Sequence, residues 1–314
     1  MQKHIFGPIL SRRFGKSLGI DLSSSLKQCN FDCLYCELSS SKTVSAYTKI
    51  TPFNEIIKEL DFAIKKHNNI DIITITANGE PTLYPQLDKL LLAIKQKNFN
   101  ISTLILTNSA NIYEANIIKT LMLFDEVKLS LDSAIEDTFV KLDRPHSGIK
   151  LNNIIDGMKI FSQNFKGKLY IEILIVEGLN DTIKEIKALN TILLTLKNIT
   201  RIDLSSVDRP PAYPIEAIKY KKLYELSLHF DPNLPIHIVS RQNIDNLLQD
   251  YSKEDIINTL DKRPLTKEDI QILFSNEAKI NLEYLLQNKT ITIKKINKLE
   301  FYILSKNNTR VRKK

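Results

Sequence analysis

Lys27-Gln28-Cys29-Asn30-Phe31-Asp32-Cys33-Leu34-Tyr35-Cys36-Glu37 holds all three cysteines of the 314-residue chain. They stand in a C-x3-C-x2-C pattern with an aromatic residue before the last. Clustered cysteines in a cysteine-poor chain point to metal rather than disulfides, and an odd local trio suits a reducing compartment. Three thiolates this close can wrap one centre, yet they leave it a ligand short. A closed structural zinc site takes four protein ligands, and ordinary cubane iron–sulfur sites take four cysteines. A [4Fe–4S] cluster on three cysteines keeps one iron open to something that is not protein. Two other readings stay open at this point: zinc completed by a remote histidine such as His67 or His146, and three unligated buried thiols.

Outward from this run, strand-like and helix-like segments alternate, the pattern of a parallel α/β fold. Strands are expected near 18–22, 71–77, 102–107, 126–131, 168–176, 201–207 and 236–239. Helices are expected after a Thr51 cap and near 85–97, 113–123, 135–142, 152–165 and 182–196. About six strand–helix units before residue 240 predict a partial (β/α)6 TIM-type barrel over residues 1–242, since a complete eight-fold barrel needs more chain. Polar residues gather at strand C-terminal ends, where such folds collect their chemistry. The cysteines follow the first strand, Gly79-Glu80-Pro81 the second and Asn108 the third. Ser130 and Asp132 close the fourth and share a face by the strand period of two, and Asn180-Asp181 follow the fifth. Each alone is also plausible turn or cap chemistry. Lys128 and Glu172 are candidates to face the barrel interior.

The cysteine spacing with its aromatic residue resembles the radical S-adenosylmethionine (SAM) superfamily. The resemblance implies a [4Fe–4S] cluster on Cys29, Cys33 and Cys36 whose open iron chelates SAM. Reduction would then cleave SAM to methionine and a 5′-deoxyadenosyl radical that abstracts hydrogen from substrate. Gly79-Glu80-Pro81 looks like the family's GGE motif, which contacts the SAM amino group, with Asn78 where the first glycine would stand. Ser130 and Asp132 would meet the ribose hydroxyls or the methionine carboxylate, and Asn108 and Asn180 would line the same pocket. Tyr35 would lie beside the adenine, or pack against the cluster loop. The stretch 6–21, with Asp143-Arg144-Pro145-His146 and Val176-Glu177-Gly178-Leu179-Asn180-Asp181, is similar to a bacterial and archaeal group of iron–sulfur oxidoreductases. That group resembles the radical SAM enzyme of wyosine biosynthesis, which builds a tricyclic base in tRNA. The resemblance covers roughly residues 5–240 and implies a low-potential flavodoxin or ferredoxin as electron donor. Arg12, Arg13 and Arg144 would hold phosphate or carboxylate groups of a substrate, or form surface ion pairs.

A hydrophobic fraction of 43% with 25% charged residues is that of an ordinary soluble protein. No apolar run is long enough to cross a bilayer, and the start has no secretory core, so a cytoplasmic protein is expected. The net charge of +8 is local: residues 289–314 hold nine basic and one acidic residue. Such a segment suits an anionic partner, RNA foremost. Residues 243–314 read as a small winged-helix-like domain. Three helices are expected, with caps at Ser252, Thr266 and Ser275, then a hairpin of strands 289–294 and 298–304 around Asn297. Its third helix carries Glu277 and Glu283 as well as Lys279, so a basic wing and tail fit phosphate contact better than base reading. Three functions compete: a radical SAM enzyme on tRNA or other RNA, one on a peptide or small metabolite, and a non-catalytic metal-binding regulator of DNA.

Overall fold

The apolar β-branched runs form strands as expected, and one further strand precedes them. The computed structural model describes residues 4–11, 13–23, 26–239, 250–262, 264–267, 270–271, 274–296 and 299–305. Its main sheet has eight strands in sequence order: β1 (Ile5–Ser11), β2 (Gly15–Asp21), β3 (Ile72–Thr76), β4 (Ser102–Thr107), β5 (Glu126–Ser130), β6 (Lys168–Ile175), β7 (Ile199–Ser206) and β8 (Ile236–Ile238). From β2 to β8 all neighbours are parallel, while β1 lies antiparallel on β2. Strand β1 corrects the sequence reading. Gly7 and Pro8 argue against a strand, but the pairing register shifts between Phe6 and Ile9, so the proline owes the ladder no hydrogen bond.

Helices make the parallel crossovers: α1 (Phe53–Lys66), α2 (Leu87–Gln96), α3 (Ala115–Leu121), α4 (Glu136–Asp143), α5 (Leu151–Asn164), α6 (Ile183–Leu193) and α7 (Tyr220–Ser227). Six β/α units therefore lead to β8, in line with the partial barrel expected. Thr51 does not cap α1; Pro52 takes that position, and the Thr51 carbonyl accepts from Tyr84 Oη at 2.5 Å. Strand alternation sorts the sheet into two faces. Ile20, Ile73, Ile105, Val127, Ile171 and Ile202 join the helices in one large core. Burying each such side chain contributes about 1.5–3 kcal/mol. The opposite face carries Ile72, Leu104 and Tyr170, packed with Phe14, and by the same alternation Ser17, Thr74, Lys128, Ser130, Glu172, Asp203 and His237.

The C-terminal elements are α8 (Lys253–Lys262), β9 (Leu265–Thr266), α9 (Asn276–Gln287), β10 (Ile291–Ile296) and β11 (Leu299–Leu304). Ser252 and Ser275 cap α8 and α9, accepting from the amides of Asp255 at 3.2 Å and Ala278 at 3.1 Å. The hairpin forms, and Leu265–Thr266, expected to open and cap the second helix, make a short strand, with helical residues at Lys267, Ile270 and Gln271 beyond it. It pairs with β11, so the module is a three-stranded antiparallel sheet in the order β10-β11-β9 against its helices. Asn297, the expected boundary at 242/243 and the basic residues Lys298 and 306–314 lie outside the described residues. The module's core, with Ile256, Leu260, Leu265, Phe274 and Leu282, extends onto Ile9 and Leu10 of β1. The Tyr251 hydroxyl donates to the Pro8 carbonyl, and Lys66 of α1 pairs with Asp255 at 3.0 Å. Among the described residues no helix is long and apolar enough to cross a membrane.

Candidate functional site

The cysteine loop follows β2 and is held by backbone on two sides. On one, Gln28 pairs with Gly79 as a parallel bridge: its amide donates to the Asn78 carbonyl and its carbonyl accepts from the Glu80 amide, both at 3.0 Å. On the other, the Asp32 amide donates to the Asp143 carbonyl at 3.1 Å, Leu34 to Leu142 at 2.9 Å and His146 to Asn30 at 2.7 Å. Cys29 and Cys33 are buried and Cys36 half-buried, all as free thiols. Burial first, then the nearby Glu80 carboxylate, pushes Cys29 up to about 12. Burial likewise holds Cys33 well above, and Cys36 above, the ordinary thiol value. Thiols so placed ionise only if a metal takes them.

Glu80 is buried, and its carboxylate ties β3 to β4. Oε1 accepts from the Thr82 amide at 2.9 Å and from the Thr82 and Thr107 hydroxyls at 2.6 Å, while Oε2 accepts from the Asn108 amide at 2.8 Å. Burial raises its pKa, and these hydrogen bonds oppose the rise. The Asn108 side chain reaches back to the loop, donating to Asn30 Oδ1 at 2.8 Å and lying 3.7 Å from Cys29 Sγ. Gly79, Glu80, Pro81 and Asn108 thus meet beside the first cysteine.

A second polar knot lies beside Tyr35. Its hydroxyl bonds to Asp132 Oδ2 and, at 3.2 Å, to Asp143 Oδ1. One phenol proton cannot serve two carboxylates, so the group keeps a carboxyl protonated. Burial carries Asp132 to about 7 and Asp143 well above the usual carboxylate range, the latter also raised by Asp132. Asp132 Oδ1 accepts from the Leu174 amide at 2.7 Å. Asn180 spends its side chain on backbone, donating to the Asp132 carbonyl at 2.7 Å and accepting from the Val176 amide at 2.7 Å. Tyr35, Asn108, Ser130, Asp132, Asp143 and Phe31 line one small pocket.

A raised folded pKa gives stability that is complete below the unfolded value and lost as pH rises through the folded one. In the metal-free protein Asp132 should therefore cost stability between about pH 4 and pH 7, by at most about 4 kcal/mol. Asp132→Asn keeps an acceptor for Leu174 and a partner for Tyr35. Urea unfolding at both pH values should show the wild type weakening over this window and the variant weakening less. Equal slopes would mean that Asp132 ionises freely.

Asp32, between the first two cysteines, gathers distant segments. Its carboxylate accepts from Tyr213 Oη at 2.5 Å and pairs with Arg144 at 3.3 Å and Lys27 at 3.6 Å. Arg144 also stacks over the Tyr213 ring at 4.7 Å. The β7–α7 loop straps the cysteine loop again nearby. The Ala212 amide donates to the Cys36 carbonyl at 2.8 Å, and Arg209 grips both oxygens of Glu37 at 2.7 Å. Of the three arginines singled out from sequence, Arg144 stands exposed at the mouth. Arg13 instead enters the barrel interior, bonding Glu172 at 2.6 Å and Asp203 at 3.2 Å. Arg12 lies outside the described residues. Lys128 also pairs with Glu172, confirming that both face inward. Burial would raise the Glu172 pKa, but Lys128 and Arg13 hold it well below the ordinary range.

The donor set, three thiols on one loop, is that of an iron–sulfur cluster, although among the described residues no three Cys, His, Asp or Glu side chains close on a metal ion. Among the described residues the buried Lys27 ammonium has no geometric hydrogen-bond partner, and Cys36 and Cys29 act on it most strongly in its favour, a placement that suits a strongly anionic centre. Neither histidine of the zinc alternative is turned to the thiols: His146 Nδ1 lies 3.0 Å from the Ser147 carbonyl, and His67 sits by Lys66 and Asp255. The radical SAM superfamily matches residues 24–189, which include the cysteine loop and the strand ends around it. The chain belongs to the radical SAM superfamily. It is 38% identical over 302 residues to a UPF0026 protein of Helicobacter pylori (strain ATCC 700392 / 26695), covering 95% of this chain and 96% of that one. It is 23% identical to the S-adenosyl-L-methionine-dependent tRNA 4-demethylwyosine synthase of Danio rerio, over 79% of this chain and 34% of that one. A radical SAM methyltransferase from Sphaerobacter thermophilus shares the fold at a TM-score of 0.58 and 15% identity, covering 72% of this chain and 67% of that chain. Radical SAM enzymes are iron–sulfur enzymes that use SAM and a [4Fe–4S] cluster, and those are the cofactors of this chain's family.

Lys27, Asp32 and Asp143 lie within quoted motifs but no single window of sequence gives them a role, and Tyr213 lies in none. Their roles depend on pairings such as Asp32 with Tyr213, 181 residues apart.

Proposed function

We propose that this protein is a radical SAM enzyme acting on RNA, with tRNA as the leading substrate class. The observation that carries the enzyme chemistry is the loop of Cys29, Cys33 and Cys36, pinned between Gly79 and Asp143–Arg144 with the buried Lys27 ammonium at its side. When bound, a [4Fe–4S] cluster with SAM on its open iron supplies a 5′-deoxyadenosyl radical, which takes a hydrogen atom from the substrate. The protein's own residues bind and orient. Asn108 offers its amide toward Cys29, Gly79 gives a backbone edge for the SAM amino group, and Ser130, Asp132 and Tyr35 flank the ribose and adenine. Glu80 and Asn180 hold the strand ends that carry these groups. The electron comes from a low-potential flavodoxin or ferredoxin, in the cytoplasm.

RNA is supported by charge and by likeness to a tRNA-modifying relative. Residues 243–314 serve in this reading as a winged-helix-like recruiting module on the barrel of residues 1–242. Lys289, Lys294 and Lys295 stand exposed on and before β10, and phosphate contacts by residues 289–314 would make binding steeply salt-dependent.

The test is 5′-deoxyadenosine formation by the anaerobically reconstituted, reduced protein, with and without total RNA, using Cys33→Ala as the blank. Formation stimulated by RNA and lost after ribonuclease treatment is the expected result. Formation indifferent to RNA would keep the chemistry and turn the search to peptides and metabolites. No formation from a loaded cluster would favour an iron–sulfur regulator.

A further inference from the structure

Lys27 stands two residues ahead of the first cysteine, and its side chain is only 7% exposed. Among the described residues its Nζ has no geometric hydrogen-bond partner, and the Cys36 sulfur is near enough to act on it. The nearest carboxylate oxygen, Asp32 Oδ1, is 3.6 Å away. That carboxylate is engaged elsewhere, accepting from Tyr213 and paired with Arg144. Asp32 therefore offsets Lys27 only in part. The ammonium's strongest favourable electrostatic partners are Cys36 and Cys29. A buried cation stripped of water and left without a hydrogen bond is costly unless an anion faces it. The three sulfurs are the anion this fold can offer.

We infer that the Lys27 ammonium is a built-in counter-charge for the centre held by Cys29, Cys33 and Cys36, and that it sets how readily this centre accepts an electron. The inference rests on the cluster assignment made above. A cluster on three thiolates becomes one charge more negative on reduction, so a fixed positive charge beside it favours the reduced form and raises the midpoint potential. Asp32, a negative charge 3.6 Å from the ammonium, acts in the opposite sense.

The experiment is a redox titration, followed by electron paramagnetic resonance, of reconstituted wild-type, Lys27→Met, Lys27→Arg and Asp32→Asn proteins. Iron and sulfide are counted in each. Lys27→Met should shift the reduction equilibrium at least tenfold toward the oxidised cluster, about 59 mV for a one-electron couple. Lys27→Arg should stay near wild type, and Asp32→Asn should shift the other way. Loss of the cluster in Lys27→Met with retention in Lys27→Arg would equally support a counter-charge, one needed already for assembly. An unchanged midpoint in a fully loaded Lys27→Met protein would overturn the proposal. So would equal shifts in Met and Arg variants, or a loss of SAM affinity without a change in midpoint, which would make Lys27 a SAM ligand instead. A wild-type protein that takes up no cluster would defeat the underlying assignment, a result the iron count separates from all the others.

Discussion

Gly79→Ala should cost the protein roughly 3–5 kcal/mol and most of its bound iron. Gly79 has φ of +138°, a region that side chains rarely adopt, and a Cβ built there would lie 2.0 Å from the Gln28 carbonyl oxygen and 2.4 Å from its carbon. No rotamer relieves a clash with backbone. The bridge between Gln28 and Gly79 must open, losing two hydrogen bonds of 3.0 Å worth about 0.5–1.5 kcal/mol each, on top of about 1–3 kcal/mol of backbone strain. Since Gln28 precedes Cys29 directly, the displacement passes to the first ligand. Gly148 supplies the control: its φ is +95° but no atom lies within 4 Å of the added carbon. Gly148→Ala should therefore pay the backbone strain alone and keep its iron. Thermal unfolding and iron content after reconstitution measure both effects. If Gly79→Ala matched Gly148→Ala in stability and iron, close approach to the cysteine loop would not be what Gly79 provides.

This contact shows how far the site was legible. The cysteine spacing and the run of polar residues at successive strand ends point to one end of the sheet, because strand ends in a parallel sheet converge whatever the details of packing. There the structure gathers Glu80, Asn108 and Asp132 around the cysteine loop. The uncertain point was Asn78, standing where the resemblance expects glycine. The structure resolves it physically: Asn78 gives its carbonyl to Gln28 and its amide to Asp21 Oδ1 at 2.7 Å, so the backbone does the work and a side chain is tolerated. Only at 79 does the neighbouring chain come too close. Ser130 and Asp132, expected on one face by period two, line one pocket although β5 ends at Ser130, but the period could not show that Asp132 and Asp143 share Tyr35. That pairing depends on α4 ending beside the cysteine loop, with Arg144 turning the chain at φ of 47°.

What stayed hidden came from long-range pairing. Gly7 and Pro8 mask β1, and without β1 the turn at Arg13 reads as a loop free to reach the mouth. With β1 paired on β2, the turn is carried to the opposite end of the strand, and Arg13 meets Glu172 and Asp203 inside the barrel. In the C-terminal module, Leu265–Thr266 is too short for any periodic signal; only its partner β11 makes it a strand.

Glu80 is the second position where a small change should have a large effect, and here the expected order of two variants is diagnostic. The carboxylate accepts from backbone amides on both oxygens, Thr82 on Oε1 and Asn108 on Oε2. Neither amide can reverse its role. A glutamine in either orientation must point its NH2 at one of them, whereas the Thr82 and Thr107 hydroxyls can rotate to accept. Glu80→Gln should thus leave one buried donor unmatched, costing about 1–3 kcal/mol. Glu80→Ala removes every acceptor at once and opens a cavity, for roughly 4 kcal/mol or more. The loss is also local to the site, since Asn108, released from Glu80, no longer has its side chain fixed against Asn30 and Cys29. Denaturant unfolding should rank wild type above Gln above Ala, with iron retention falling in the same order. Were Glu80 only a contact for bound SAM, both variants would unfold like the wild type in SAM-free protein, and the loss would be confined to SAM affinity.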